Sequence, residues 1–121
     1  MEIRTIIAAG MLAFAATATA QTETKNRTTM EKLNLTQEWD KTFPQSDKVE
    51  HTKVTFTNRY GITLAADMYM PKNSEGRLPA IAVSGPFGAV KEQASGLYAQ
   101  TLAERGFLAI AFDPSFTGES G

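Results

Sequence analysis

Cysteine is absent from the 121 residues, so the chain has no disulfide and no thiol nucleophile. Histidine occurs once, as His51, and one histidine without cysteine argues against a structural zinc site. An excess of charge of either sign is also missing. A net charge of −1 leaves no basic footprint, so nucleic acid is not expected as a partner. The apolar run at residues 5–16 is too short to span a bilayer as a mature helix. Hydrophobic content of 42% with 21% charged residues is ordinary for one globular domain.

What is present starts with that short run. It follows Arg4 and leads to Ala18-Thr19-Ala20, a small-x-small cleavage pattern. Residues 1–20 are therefore predicted to be a secretory signal peptide, cut after Ala20. No cysteine stands at the cut, which leaves no lipid anchor there. A periplasmic or secreted mature protein is expected, without a membrane anchor. Residues 21–47 form a polar arm or linker. Met30, Leu33, Leu35, Trp39 and Phe43 suit one loose helix from about Thr29, stopped by Pro44. A linker is the simpler reading, and docking through Trp39 is the other.

Residues 48–121 carry the domain signal. Thr52, Val54 and Phe56 alternate, and Ile62, Leu64, Ala66, Met68 and Met70 alternate with Thr63, Ala65, Asp67 and Tyr69. Asn58-Arg59-Tyr60-Gly61 has turn composition, which makes an antiparallel hairpin. His51 falls in or near its first strand, without an expected partner in the hairpin. A continuous apolar run at residues 78–84 suits a strand covered on both faces. The loop Gly85-Pro86-Phe87-Gly88 breaks it. From about Gln93 the apolar positions Ala94, Leu97, Tyr98, Thr101 and Leu102 take helical spacing, ended by Gly106. Residues 107–112 are a second apolar run. Hairpin followed by strand, helix and parallel strand predicts an α/β fold with an incomplete sheet. Ligands in such sheets bind beyond the carboxyl ends of the strands.

The loop residues Gly85-Pro86-Phe87-Gly88-Ala89-Val90-Lys91-Glu92-Gln93 resemble those of α/β-hydrolases, in the dienelactone-hydrolase-like branch. Leu97-Tyr98-Ala99, residues 102–107, Phe112-Asp113 and Gly118-Glu119-Ser120-Gly121 continue the likeness. Relatives commonly carry histidine where Gly85 stands. The resemblance implies the N-terminal part of an α/β-hydrolase fold, acting on a small-molecule ester or other acyl substrate without cofactor or metal. It implies that the Phe87 backbone N–H is an oxyanion-hole donor, with Gly85, Pro86 and Gly88 shaping its loop. Pro86 has no N–H and cannot donate. In this fold the second donor follows the nucleophile.

Other site candidates have bland readings. Lys91 and Glu92 read as helix-start residues, with Glu92 at the positive end of the helix dipole. Asp113 reads as a structural organiser of the loop above the site. Ser120 lacks a glycine two residues on and a strand-turn-helix setting, so it does not read as a nucleophile. No triad assembles from His51 and these serines. The chain therefore reads as the N-terminal portion of an exported serine hydrolase, inactive alone. The alternative is a non-enzymatic exported α/β binding module. A dinucleotide-binding βαβ, with Asp113 as the ribose acid, is a third reading that Pro86 and the incomplete glycine fingerprint oppose.

Overall fold

A computed structural model describes residues 32–121. The proposed signal peptide, with Thr29 and Met30, lies outside the described residues. Among the described residues, four strands and one helix follow in the order β1 (Val49–Thr57), β2 (Thr63–Pro71), β3 (Ala80–Val83), α1 (Ala94–Ala103) and β4 (Leu108–Phe112). The sheet order is β1-β2-β4-β3. β1 and β2 are antiparallel, from Val49 opposite Pro71 to Thr57 opposite Thr63. β4 inserts beside β2 in antiparallel sense and beside β3 in parallel sense. This is the expected hairpin plus parallel βαβ unit of an α/β fold.

The hairpin closes as its turn residues require. Asn58 Oδ1 accepts from the N–H groups of Tyr60 (2.9 Å) and Ile62 (3.1 Å). Gly61 supplies the positive φ of 82°. The two faces of the sheet then differ. Thr63, Ala65, Asp67 and Tyr69 are fully buried, and Tyr69 packs in the core against α1 and the arm before β1. On the opposite face Leu64 and Ala66 are buried, but Met68, Met70, Ile110 and Phe112 are only half-buried, and Phe56 is exposed. Among the described residues no helix covers that face. The strand set carrying a charge is thus the better buried one.

Three expectations are corrected. Residues 32–47 form no helix; they run as an irregular arm. The Trp39 Nε1–H donates to the Phe43 carbonyl (2.8 Å), and the two rings meet edge to face. These internal contacts replace helical hydrogen bonds, and Phe43 enters the core with Val49, Tyr69, Ala99, Ala103, Ala109 and Ala111. Among the described residues β3 is not covered on both faces; it is the edge strand of the incomplete sheet, with Ala80 and Ala82 exposed. α1 buries a different face from the expected one. Ser95, Gly96, Ala99, Gln100 and Ala103 point inward, while Leu97 and Tyr98 are exposed. Close approach decides this. A Cβ on Gly96 would stand 2.3 Å from the Lys91 carbonyl and 3.1 Å from the Phe43 ring, so small residues must face in.

The end of α1 follows expectation. The Phe107 N–H reaches the Leu102 carbonyl (3.3 Å) and the Gly106 N–H reaches that of Ala103 (3.1 Å). Gly106, with φ of 100°, takes the left-handed position of this closure. Among the described residues no helix is long and apolar enough to cross a membrane.

Candidate functional site

The carboxyl ends of the parallel strands β3 and β4 point to the same edge of the sheet. Two loops leave there, residues 85–89 after β3 and residues 114–117 after β4. Between them lies a crevice of about 400 Å³. Gly85, Pro86, Phe87 and Gly88 all line it, so the structure brings the loop candidates together. The Ala89 N–H donates to the Pro86 carbonyl (3.1 Å), and Gly88 has φ of 81°. This is a tight turn whose third residue needs a positive φ, with Phe87 at its corner. Among the described residues the Phe87 N–H has no backbone acceptor. Phe87 as a residue is 109% exposed, so its side chain packs on none of the described residues.

Beneath the crevice lies a set of buried charges. Lys91 is fully buried. Its backbone N–H donates to Asp113 Oδ1 (2.8 Å) and its Nζ to Asp113 Oδ2 (2.7 Å). The same Nζ meets Glu119 Oε2 (2.8 Å) and the Glu92 carboxylate. Glu119 also accepts from Lys53 Nζ (2.7 Å) and from the Thr36 N–H (2.6 Å). Burial alone would depress the Lys91 pKa, but hydrogen bonds to Asp113, Glu119 and Glu92 outweigh it and raise the pKa. Burial pushes Glu119 up; Lys53, Lys91 and the Thr36 N–H overcome this and bring it down to about 2. Both groups stay charged at neutral pH.

Lys91 and Glu92 are therefore not helix-start residues. α1 begins at Ala94, behind Gln93, and has no acid in its first turn. Asp113 does organise the loop above it. Besides Lys91 it accepts from the Glu119 N–H (3.1 Å), and its carbonyl accepts from Ser120 Oγ (2.8 Å). Ser120 Oγ also accepts from the Ala65 N–H (2.8 Å), which makes it a brace and not a nucleophile. A fully buried Asp113 cannot reach a ribose. The glycine turn is separated from α1 by residues 90–93, so no helix N-terminus meets a phosphate there. Both facts oppose the dinucleotide reading.

His51 is corrected as well. Its partner lies in the hairpin: Nε2 stands 2.7 Å from Asp67 Oδ1. Lys41 Nζ shares that oxygen at 3.1 Å. The ring of Trp39 meets His51 edge-on at 5.3 Å. Asp67 is therefore a bound partner and holds the arm down. Asp40, Glu92 and Glu119 come close enough together to hold a cation. Lys53 Nζ, 3.1 Å from Asp40 and 2.7 Å from Glu119, already supplies the positive charge at that point.

Sequence reasoning missed Lys53, Asp67, Lys91 and Glu119 as one assembly. A signal was present in the strands. His51, Lys53 and Asp67 share one parity, and Lys53 stands opposite Asp67 in register. Charges that share a face with Ala65 and Tyr69 must pair or stay in water.

No family model matches the chain. It is 72% identical over 103 residues to the uncharacterized protein PA2218 of Pseudomonas aeruginosa, covering 84% of this chain and 28% of that protein. The crystal structure of PA2218 superposes with a TM-score of 0.74, over 75% of this chain and 29% of the other. The uncharacterized protein YcjY of Escherichia coli K12 is 51% identical over 75 residues, which is 59% of this chain and 24% of YcjY. Acetyl xylan esterase 1 from a Thermoanaerobacterium species shares 21% identity at a TM-score of 0.54, over 74% of this chain and 26% of the esterase. The fold is part of an α/β-hydrolase fold. The chain spans about a quarter of the length of the curated relatives it matches.

Proposed function

We propose that this chain is the first section of an exported serine hydrolase that cleaves small-molecule esters. One observation carries the reading: Phe87 sits at the corner of a tight turn, at the carboxyl end of β3, over a crevice. Its backbone N–H has no acceptor in the described backbone. Such an N–H suits the oxygen of a tetrahedral intermediate, where charge develops during acyl transfer. His51 pairs with Asp67, and Ser120 braces the backbone, so neither supplies a nucleophile or base. In this reading those groups come from sequence that follows Gly121, and the chain alone does not turn over esters. The dienelactone-hydrolase-like branch rests on the loop resemblance. Export rests on the residues 5–20 pattern, and an intact mass that begins at Gln21 checks it.

The test uses the longer hydrolase that carries this segment, with p-nitrophenyl acetate as substrate. Phe87→Pro removes the N–H and lowers kcat by about a hundredfold, in line with loss of one oxyanion donor. Phe87→Ala keeps the N–H and lowers kcat far less. Equal damage from both would move the role to the side chain. Absence of any ester cleavage by the longer form would overturn the reading.

A further inference from the structure

Two aromatic rings at the crevice take no part in the core. Phe87 is 109% exposed on the β3 loop, and Phe116 is 83% exposed on the β4 loop. Both line the same crevice, one from each wall. Phe116 has φ of 62°, a left-handed backbone that a bulky residue rarely adopts. The surrounding hydrogen bonds impose it: the Phe116 N–H donates to the Gly121 carbonyl (2.8 Å) and the Thr117 N–H to that of Pro114 (3.1 Å). A glycine or asparagine would sit there without strain, and neither would offer a ring. Strain held at a ring that packs on none of the described residues points to use of the ring outside the core.

The rest of the lining sets the chemistry. Pro86, Ala89 and Pro114 add apolar surface, and among the described residues no charged side chain lines the crevice. Its volume of about 400 Å³ suits one small molecule, since such sites hold roughly 300–1,000 Å³. We propose that Phe87 and Phe116 form a two-sided aromatic clamp for an uncharged aryl or alkyl group of the ester. The clamp deepens the ester-hydrolase reading and rests on it. It selects neutral esters over anionic ones, because a carboxylate held between two rings would lose water and gain no cation.

The experiment compares phenyl acetate with para-carboxyphenyl acetate, which differs by one carboxylate. In the first arm, binding to this chain is read by saturation-transfer NMR. The neutral ester is expected to bind at least about tenfold tighter, and Phe87→Ala and Phe116→Gly each weaken it about tenfold, as loss of one apolar contact surface does. Neither variant lowers the unfolding temperature, because neither ring is packed. Equal binding of the two esters overturns the clamp. So does unchanged affinity in both variants, or a marked drop in unfolding temperature, which would make the rings core residues. In the second arm, the longer hydrolase is assayed, and both variants are expected to raise KM for phenyl acetate more than they lower kcat. Binding without cleavage would sink the hydrolase reading and leave the clamp standing. Cleavage of both esters alike, with KM unmoved in the variants, would sink the clamp and leave the hydrolase reading standing.

Discussion

The crevice and the charges beneath it are neighbours built on opposite principles. The crevice wall carries exposed rings, two positive φ angles at Gly88 and Phe116, and little packing. The layer below carries Lys91 and Asp113, both fully buried, with the lysine paired to three carboxylates. The contrast teaches where precision is stored. A loop can present a backbone N–H in one position only if something rigid holds its base, and here the hold is one lysine gripping the end of β4. Buried pairs contribute little net stability over an apolar packing, but breaking one is expensive because a charge is left uncompensated.

Breaking the lower layer gives the largest expected effect. Lys91→Met leaves Asp113 buried without its cation and costs about 3–5 kcal/mol, read from urea unfolding at neutral pH. A loss below about 1 kcal/mol would mean that water reaches Asp113 and that the two regions differ less than the contacts indicate. Acid probes the same layer more gently. Glu119 titrates at about 2 in the folded chain against an ordinary 4.5. A depressed carboxyl stabilises the fold above its unfolded value and loses that contribution as pH falls. Stability should therefore decline between pH 4.5 and 2, by roughly 1–2 kcal/mol from this group once solvent screening of its partly exposed carboxylate is discounted. Glu119→Gln should flatten that decline; an unchanged slope would assign it to other carboxylates. The smallest effect belongs to the upper region. Phe87→Ser should change unfolding free energy by no more than about 0.5 kcal/mol, as for an unpacked surface residue. A larger change would show that the ring is covered in solution.

The legible part of the structure was the part governed by period. β1 and β2 form where the alternation places them, because it is clean from Thr52 to Phe56 and from Ile62 to Met70. Gly106 marked the helix end because only a glycine takes φ of 100° freely. Helix orientation was not legible. Leu97 and Tyr98 have the hydrophobicity of a core face, yet the approach of α1 to Lys91 and Phe43 leaves room only for Gly96, Ala99 and Ala103. The turn at Gly88 and the strand-end position of Asp113 were readable from residue type. The pairing of Lys91 with Asp113 was not, since it spans 22 positions and depends on how the loop folds back. His51 and Asp67 are 16 apart, and their contact follows from hairpin register that only the turn fixes.

Gly96 has a consequence for the genetics of this segment. Every other amino acid brings a Cβ, and at this position that atom would land 2.3 Å from a main-chain oxygen that cannot rotate away. No codon change there is conservative, whatever the polarity or size of the replacement. In a saturation library selected for folded protein, codon 96 should be left with one survivor, while codons 87 and 116 keep many. The library would then separate the two kinds of constraint without a substrate: the helix contact is read by selection for folding, and the rings are seen only when selection acts on binding.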